Sequence, residues 1–231
     1  MHDSFTNLLD SPGHLMLRNQ YYGQRMRIES RRYIRPSEVG RPMPFAIAGQ
    51  PIQLLQRYMY DLLQRANNGD WTFTMIHEMG HNFDPFGWSF QGEFMANLMI
   101  AYIMCQRNAT VYLGNQRRTG LAQYRDYFRA SHAYYFSRET CPDYDPFNDP
   151  LLYTFLRIQQ RIGWQPFQNA FRHIEGLLVV NSLPGSDLNN LNLFLTLLRD
   201  YSGVDVINTI LTPIERERYG DNVGGDLEYL R

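Results

Sequence analysis

A chain of 231 residues with 44% hydrophobic and 19% charged residues has the composition of a folded globular domain with length enough for one sizeable core, which excludes disorder, collagen and coiled coil. Its net charge of −1 and pI near 6.6 supply no basic field for general nucleic-acid or anionic-membrane binding. No apolar run reaches the roughly 18 residues of a membrane-spanning helix, and the opening MHDSFTNLLDSPGH shows no basic stretch followed by an apolar one, so no targeting signal is read.

In chain order, the first third reads as strand and loop. QRMRIESRRYIRP alternates basic and apolar residues at Arg25, Met26, Arg27 and Ile28, and PMPFAIAG is a short apolar run closed by Gly49. A helix is expected from Pro51, with Leu54, Leu55, Tyr58, Met59, Leu62 and Leu63 at helical spacing and Asn67-Asn68-Gly69 as its stop. A short helix follows over about 72–82, with Asp70 as N-cap and Pro85 preventing continuation. Beyond it the spacing predicts helices at about 93–107, 119–136, 148–162, 166–175, 188–201 and 204–211, the 148–162 helix stopped by Gly163. The expectation is one α+β domain over 1–231: a β-containing part at about 1–70, a central pair of helices at about 71–107, and a helical part at about 108–231.

The chemistry concentrates in TMIHEMGHNFDPFGWSFQGEFMAN, where His77, Glu78 and His81 form an HExxH on the expected short helix. Histidines at i and i+4 share a helix face one turn apart, so both imidazoles can reach one ion at 2.0–2.1 Å, with Glu78 beside them as a general base. Chance yields this pattern in roughly one of a couple of hundred such chains, so context decides. Thr72, Ile76, Met79 and Phe83 give the opposite face an apolar anchor, and Gly80 is read as leaving the helix surface open beside His81. The chain breaks at Asp84-Pro85-Phe86-Gly87 and restarts after Gly92, bringing Glu93 onto a second helix that can fold back across the first.

Glu93 is the expected third ligand, completing the three protein ligands of a catalytic zinc. Asp84, less than one turn past His81, is the alternative; it suits a turn or an acceptor for a histidine ring N–H. The metzincin pattern needs glycine and histidine where this chain has Asp84 and Gly87, and is excluded. Asn97, one turn after Glu93, is a candidate to hold the ligand carboxylate, or an ordinary polar helix residue.

HEMGHNF, Gly87-Trp88 and GEFMANL together resemble the zinc signature of the M60-like (enhancin-type) peptidases: HExxH, a short gap containing tryptophan, then a glutamate opening the next helix with asparagine close behind. FAIAGQPI (Phe45 to Ile52) resembles the segment this family places before its zinc helix, and RIGWQPFQNAFRHIE a helix of its C-terminal part, so the resemblance covers roughly 40–210. Against that family the 231 residues read as short for the catalytic domain, and no carbohydrate-binding module is expected within them. The resemblance implies a zincin-like catalytic domain of gluzincin type, one zinc ion per chain, and a secreted endopeptidase acting on protein or glycoprotein, in many relatives mucin-type O-glycosylated protein, with no nucleic-acid partner and no membrane span. Such sites also donate a hydrogen bond to the tetrahedral oxyanion; His132, Tyr134 and Tyr135 in SHAYYF are the candidates, against packing or surface roles.

Trp88 is a candidate sugar platform or a plug beneath the zinc helix. All 22 basic residues are arginine, a side chain suited to carboxylate, phosphate or sulfate; codon usage is the plainer account. Arg25, Arg27, Arg31, Arg32 and Arg35 form either an anion-binding face or a solvated strand face. Cys105 and Cys141 lack CxxC spacing and form one disulfide or two buried thiols. Asn108-Ala109-Thr110 is a sequon near a helix end, His173 reads as structural, and His2 and His14 as terminal. Two competing functions remain: a gluzincin with no glycan requirement, and a non-catalytic binding or scaffold protein, against which the intact HExxH and Glu93 argue.

Overall fold

The computed structural model describes residues 28–31, 46–47, 52–67, 70–81, 92–113, 116–137, 150–180 and 187–220. Three short strands, β1 (Ile28–Arg31), β2 (Ala46–Ile47) and β3 (Ile52–Leu55), form a sheet in the order β1-β3-β2. β3 lies parallel to β1, with Ile52 opposite Ile28 and Leu55 opposite Arg31, and antiparallel to β2. Helix α1 (Gln56–Asn67) begins directly at the end of β3. The helix expected from Pro51 therefore starts later, because IQLL is spent on strand pairing; a short apolar run fits either period until its neighbours are known.

Strand β4 (Asp70–Thr72) opens the second sheet, and helix α2 (Phe73–His81) follows it without a break. Helix α3 (Gly92–Arg107) leads into β5 (Thr110–Leu113), which pairs parallel to β4, and β6 (Gln116–Thr119) pairs antiparallel to β5. Parallel neighbours require a crossover connection. Here the crossover between β4 and β5 is the α2–α3 pair, so the HExxH helix is anchored by a strand at its start and its partner helix by a strand at its end. Asp70 is thus a strand residue rather than an N-cap: it pairs with Thr110, and its buried carboxylate accepts from Arg117 Nη2 on β6 at 2.7 Å. The β5–β6 pair is a further correction, since strands occur in the part expected to be wholly helical.

The rest of the described chain is helical: α4 (Leu121–His132), prolonged by a π-helical turn at Ala133–Ser137, α5 (Pro150–Ile162), α6 (Gln165–Val179), α7 (Asp187–Ser202), α8 (Val206–Thr209) and α9 (Pro213–Gly220). α5 stops where the sequence predicts, at Gly163, whose φ of 75° only glycine adopts without strain. Mostly helical with two small sheets, the chain is α+β.

From Phe94 to Met104, every residue of α3 is buried. A helix apolar all round belongs at the centre of a core, and α3 has α2, α4 and α5 against it. Phe94 meets Phe155 at 4.7 Å between ring centroids, Phe155 stacks on Phe194 at 5.5 Å, and Phe171 joins Phe194 at 5.1 Å, so the aromatic core ties α3 to α5, α6 and α7. Gly80 is not an opening beside His81. It is the point where α2 touches α3: a Cβ added there would lie 2.8 Å from Ala96 Cα, a backbone contact that no rotamer change relieves.

Thr212-Pro213-Ile214-Glu215 is a capping box with proline at the first helical position, and it starts α9, a helix the spacing of apolar residues did not reveal. Thr212 N–H donates to Glu215 Oε2 at 2.6 Å, and Glu215 N–H donates to Thr212 Oγ1 at 3.3 Å. The same carboxylate, fully buried, accepts from His132 Nε2 at 2.6 Å, from Arg157 Nη1 at 3.1 Å and from the Thr154 hydroxyl. Burial alone would raise the Glu215 pKa, but the hydrogen bonds from His132 and Thr154 and the Arg157 charge outweigh it and hold it at about 2, below the ordinary 4.5. A carboxylate depressed on folding contributes stability that is complete above its unfolded pKa and is lost as pH falls through the folded one. Stability is therefore expected to decline by roughly 3 kcal/mol from this group as pH drops from about 4.5 to about 2. Urea denaturation of the chain and of Glu215→Gln across this range checks it; equal pH dependence in both would remove Glu215 as the source.

Candidate metal centre

α2 presents its apolar side, Ile76 and Met79, to the core and turns His77, Glu78 and His81 away from it. His77 is nonetheless nearly buried, because Phe73, one turn earlier, stacks on its imidazole with centroids 5.2 Å apart. The His77 and His81 rings meet edge to face at 4.6 Å. Glu93 stands in the first turn of α3, where a carboxylate complements the helix dipole. Since α2 and α3 are in backbone contact at Gly80 and Ala96, that first turn is carried beside the two histidines.

Three ligand atoms converge within 4.8 Å of one another, one each from His77, His81 and Glu93. His77 Nε2 lies 2.8 Å from Glu93 Oε2 and 3.0 Å from His81 Nε2, and His81 Nε2 lies 3.7 Å from Glu93 Oε1. Two ligands at 2.0–2.1 Å from a tetrahedral ion sit about 3.3 Å apart, and the three separations straddle that spacing. Two imidazole nitrogens and a carboxylate facing one point are the donor set that a zinc-sized cation satisfies together. Burial acts to raise the Glu93 pKa, while the hydrogen bond from His77 and the charges of His77 and His81 lower it; the net result is below the ordinary value, so the carboxylate is ionised at neutral pH.

Asn97 is at the centre as expected but serves a different partner. Its Oδ1 accepts from His77 Nδ1 at 3.0 Å, which places the proton on Nδ1 and points Nε2 at the convergence point. Its Nδ2 is buried without an acceptor among the described residues. Glu78 is half-buried on α2 next to His77. Asp84 and Trp88 lie outside the described residues, as do Phe83, Cys141, His2 and His14.

His132, offered from sequence as an oxyanion donor, is committed elsewhere: its Nε2 serves Glu215, and its ring packs on Phe136 and Tyr153. Tyr134 is exposed and Tyr135 partly buried, their rings 5.4 Å apart in the π-helical turn. His173 Nδ1 lies 2.9 Å from the Tyr201 hydroxyl. Cys105 is exposed, against the expectation of a buried thiol. Asn108 of the sequon is exposed with φ 48°, in the turn that ends α3. Sequence reasoning missed Phe73 as a neighbour of His77, although it carried a readable signal, standing at i−4 from that histidine.

The profile of Peptidase M60, enhancin and enhancin-like, matches residues 15–196 of this chain. The chain belongs to the M60 peptidase family. It is therefore a member of a metallopeptidase family whose substrates are proteins, and its His77, His81 and Glu93 form a cluster able to hold a metal ion. Comparisons with curated proteins and with solved structures found no match. Among the described residues of this M60 chain, no helix is long and apolar enough to cross a membrane.

Proposed function

We propose that the chain is a single zincin-like catalytic domain of gluzincin type, a secreted zinc endopeptidase that cleaves O-glycosylated, mucin-like protein. The observation that carries this reading is the convergence of His77, His81 and Glu93, with Glu78 on the same helix, in an M60 family member. His77, His81 and Glu93 would hold one zinc ion, which when bound supplies Lewis acidity to a water and to the scissile carbonyl. Glu78 takes the proton of the attacking water and returns it to the leaving amine. Asn97 keeps the His77 ring in its ligating tautomer, and its buried amide N–H, one turn after Glu93, is the donor available to that carboxylate. Tyr134 or Tyr135 donates to the oxyanion, and Trp88 gives the sugar an aromatic platform. The glycan and secretion readings rest on family resemblance.

A glycopeptide and its unglycosylated twin, each incubated with and without a chelator, test the reading. Chelator-sensitive cleavage that favours the glycopeptide is expected. Equal rates on the twins would remove the glycan and leave a general gluzincin peptidase; chelator-insensitive cleavage would remove the metal.

A further inference from the structure

Asn97 is the one amide in the buried stretch from Phe94 to Met104 of α3. Its side chain is occupied with His77, yet its backbone carbonyl is also the acceptor of a long-range bond: the Tyr124 hydroxyl, from α4, donates to Asn97 O at 3.0 Å. Tyr124 is fully buried, with its ring against Phe128 at 5.1 Å. A buried phenol needs a partner, and a carbonyl oxygen has two lone pairs, so it can serve its own helix and a second donor together. Nothing in packing alone requires that this donor reach the residue of α3 whose side chain holds Nδ1 of His77.

We propose that Tyr124 is a positioning residue for the metal centre, pinning through the Asn97 carbonyl the turn of α3 from which Asn97 orients His77. The chain of contacts is continuous: Tyr124 Oη to Asn97 O, Asn97 Oδ1 to His77 Nδ1, and His77 Nε2 facing Glu93 and His81. Because Glu93 and Asn97 are one turn apart on α3, a shift of that turn displaces a ligand and the support of another ligand together. Tyr124 works at a distance from any reacting atom, and the proposal rests on the metal-centre reading above.

The test is cobalt(II) titration of the metal-free full chain, reading the dissociation constant and the visible absorption spectrum of the cobalt form, with thermal unfolding of the metal-free proteins alongside. Four proteins are compared: the unaltered chain, Tyr124→Phe, Asn97→Ala and the double variant. Phenylalanine keeps the ring and removes one oxygen. Loss of a side chain that supports a ligand weakens metal binding by about 10- to 100-fold, the result expected for Asn97→Ala. Tyr124→Phe, which loses one neutral hydrogen bond, is expected to weaken cobalt binding by about three- to tenfold and to alter the spectrum. In the Asn97→Ala background, where the backbone carbonyl at position 97 remains but the link to His77 is gone, the same change is expected to weaken binding less, through displacement of Glu93 alone. An unchanged affinity and spectrum in Tyr124→Phe, even with a lowered Tm, would overturn the assignment, as would an equal weakening in both backgrounds. An unaltered chain that takes up no cobalt would overturn the metal-centre reading and this proposal with it, so the two failures are distinct.

Discussion

Glu78→Gln is expected to leave the fold and the zinc content of the chain unchanged while lowering peptide hydrolysis by about 10²–10⁴-fold, the range over which a positioned general base assists. The substitution conserves shape and removes only the capacity to accept a proton. Glu78 is not among the three residues whose ligand atoms converge, so the metal has no direct reason to leave with it. Its place on α2 is fixed from both sides: β4 runs straight into the helix, and Gly80 seats it on Ala96. The measurement is a progress curve on a cleavable glycopeptide together with elemental analysis of the same sample. A variant with full zinc and more than about a tenth of the original rate would show that another group takes the proton.

The centre was legible in the sequence to the extent that it is local. His77 and His81 share one element, and i,i+4 spacing sets their relation whatever the rest of the chain does. Glu93 was legible because the chain breaks and restarts within a dozen residues, which leaves few places for the second helix to go. Asn97 was placed on the right turn, but spacing reports only which residues share a face, not which neighbour that face meets; the structure gives its Oδ1 to His77. Gly80 was misread for the same reason, since a missing side chain marks either an open surface or a close contact, and only the approach of Ala96 decides. Tyr124 reaches Asn97 across 27 positions of chain, and nothing local marks it.

Some signals were present and passed over. Thr110-Val111-Tyr112-Leu113 is rich in β-favouring residues and is followed by Gly114-Asn115 and then QRRT, the pattern of a tight hairpin. Its parallel pairing with β4 is what turns the α2–α3 pair into a crossover. The capping box at Thr212 and Glu215 announced α9 with equal clarity. In both cases apolar spacing dominated the reading of a segment whose decisive residues were polar or at turns.

Zinc content separates the three proposed ligands by what each would lose. His77→Ala/His81→Ala removes both imidazoles and is expected to abolish stoichiometric zinc after dialysis, because a lone half-buried carboxylate cannot retain the ion against water. Glu93→Ala keeps two nitrogens, one of them held in its ligating tautomer by Asn97, and is expected to bind zinc more weakly but measurably. Gly80→Ala approaches the same geometry from outside the ligand set. Its methyl group would sit 2.8 Å from Ala96 Cα, so α2 must move off α3, at about 1–3 kcal/mol for overpacking, and carry His77 and His81 away from Glu93. Its zinc affinity is therefore expected to fall although no ligand has changed. One zinc per chain in the double histidine variant, by elemental analysis, would overturn the ligand assignment. An unaltered affinity in Gly80→Ala would show that the Gly80–Ala96 contact does not set the distance between the histidines and the glutamate.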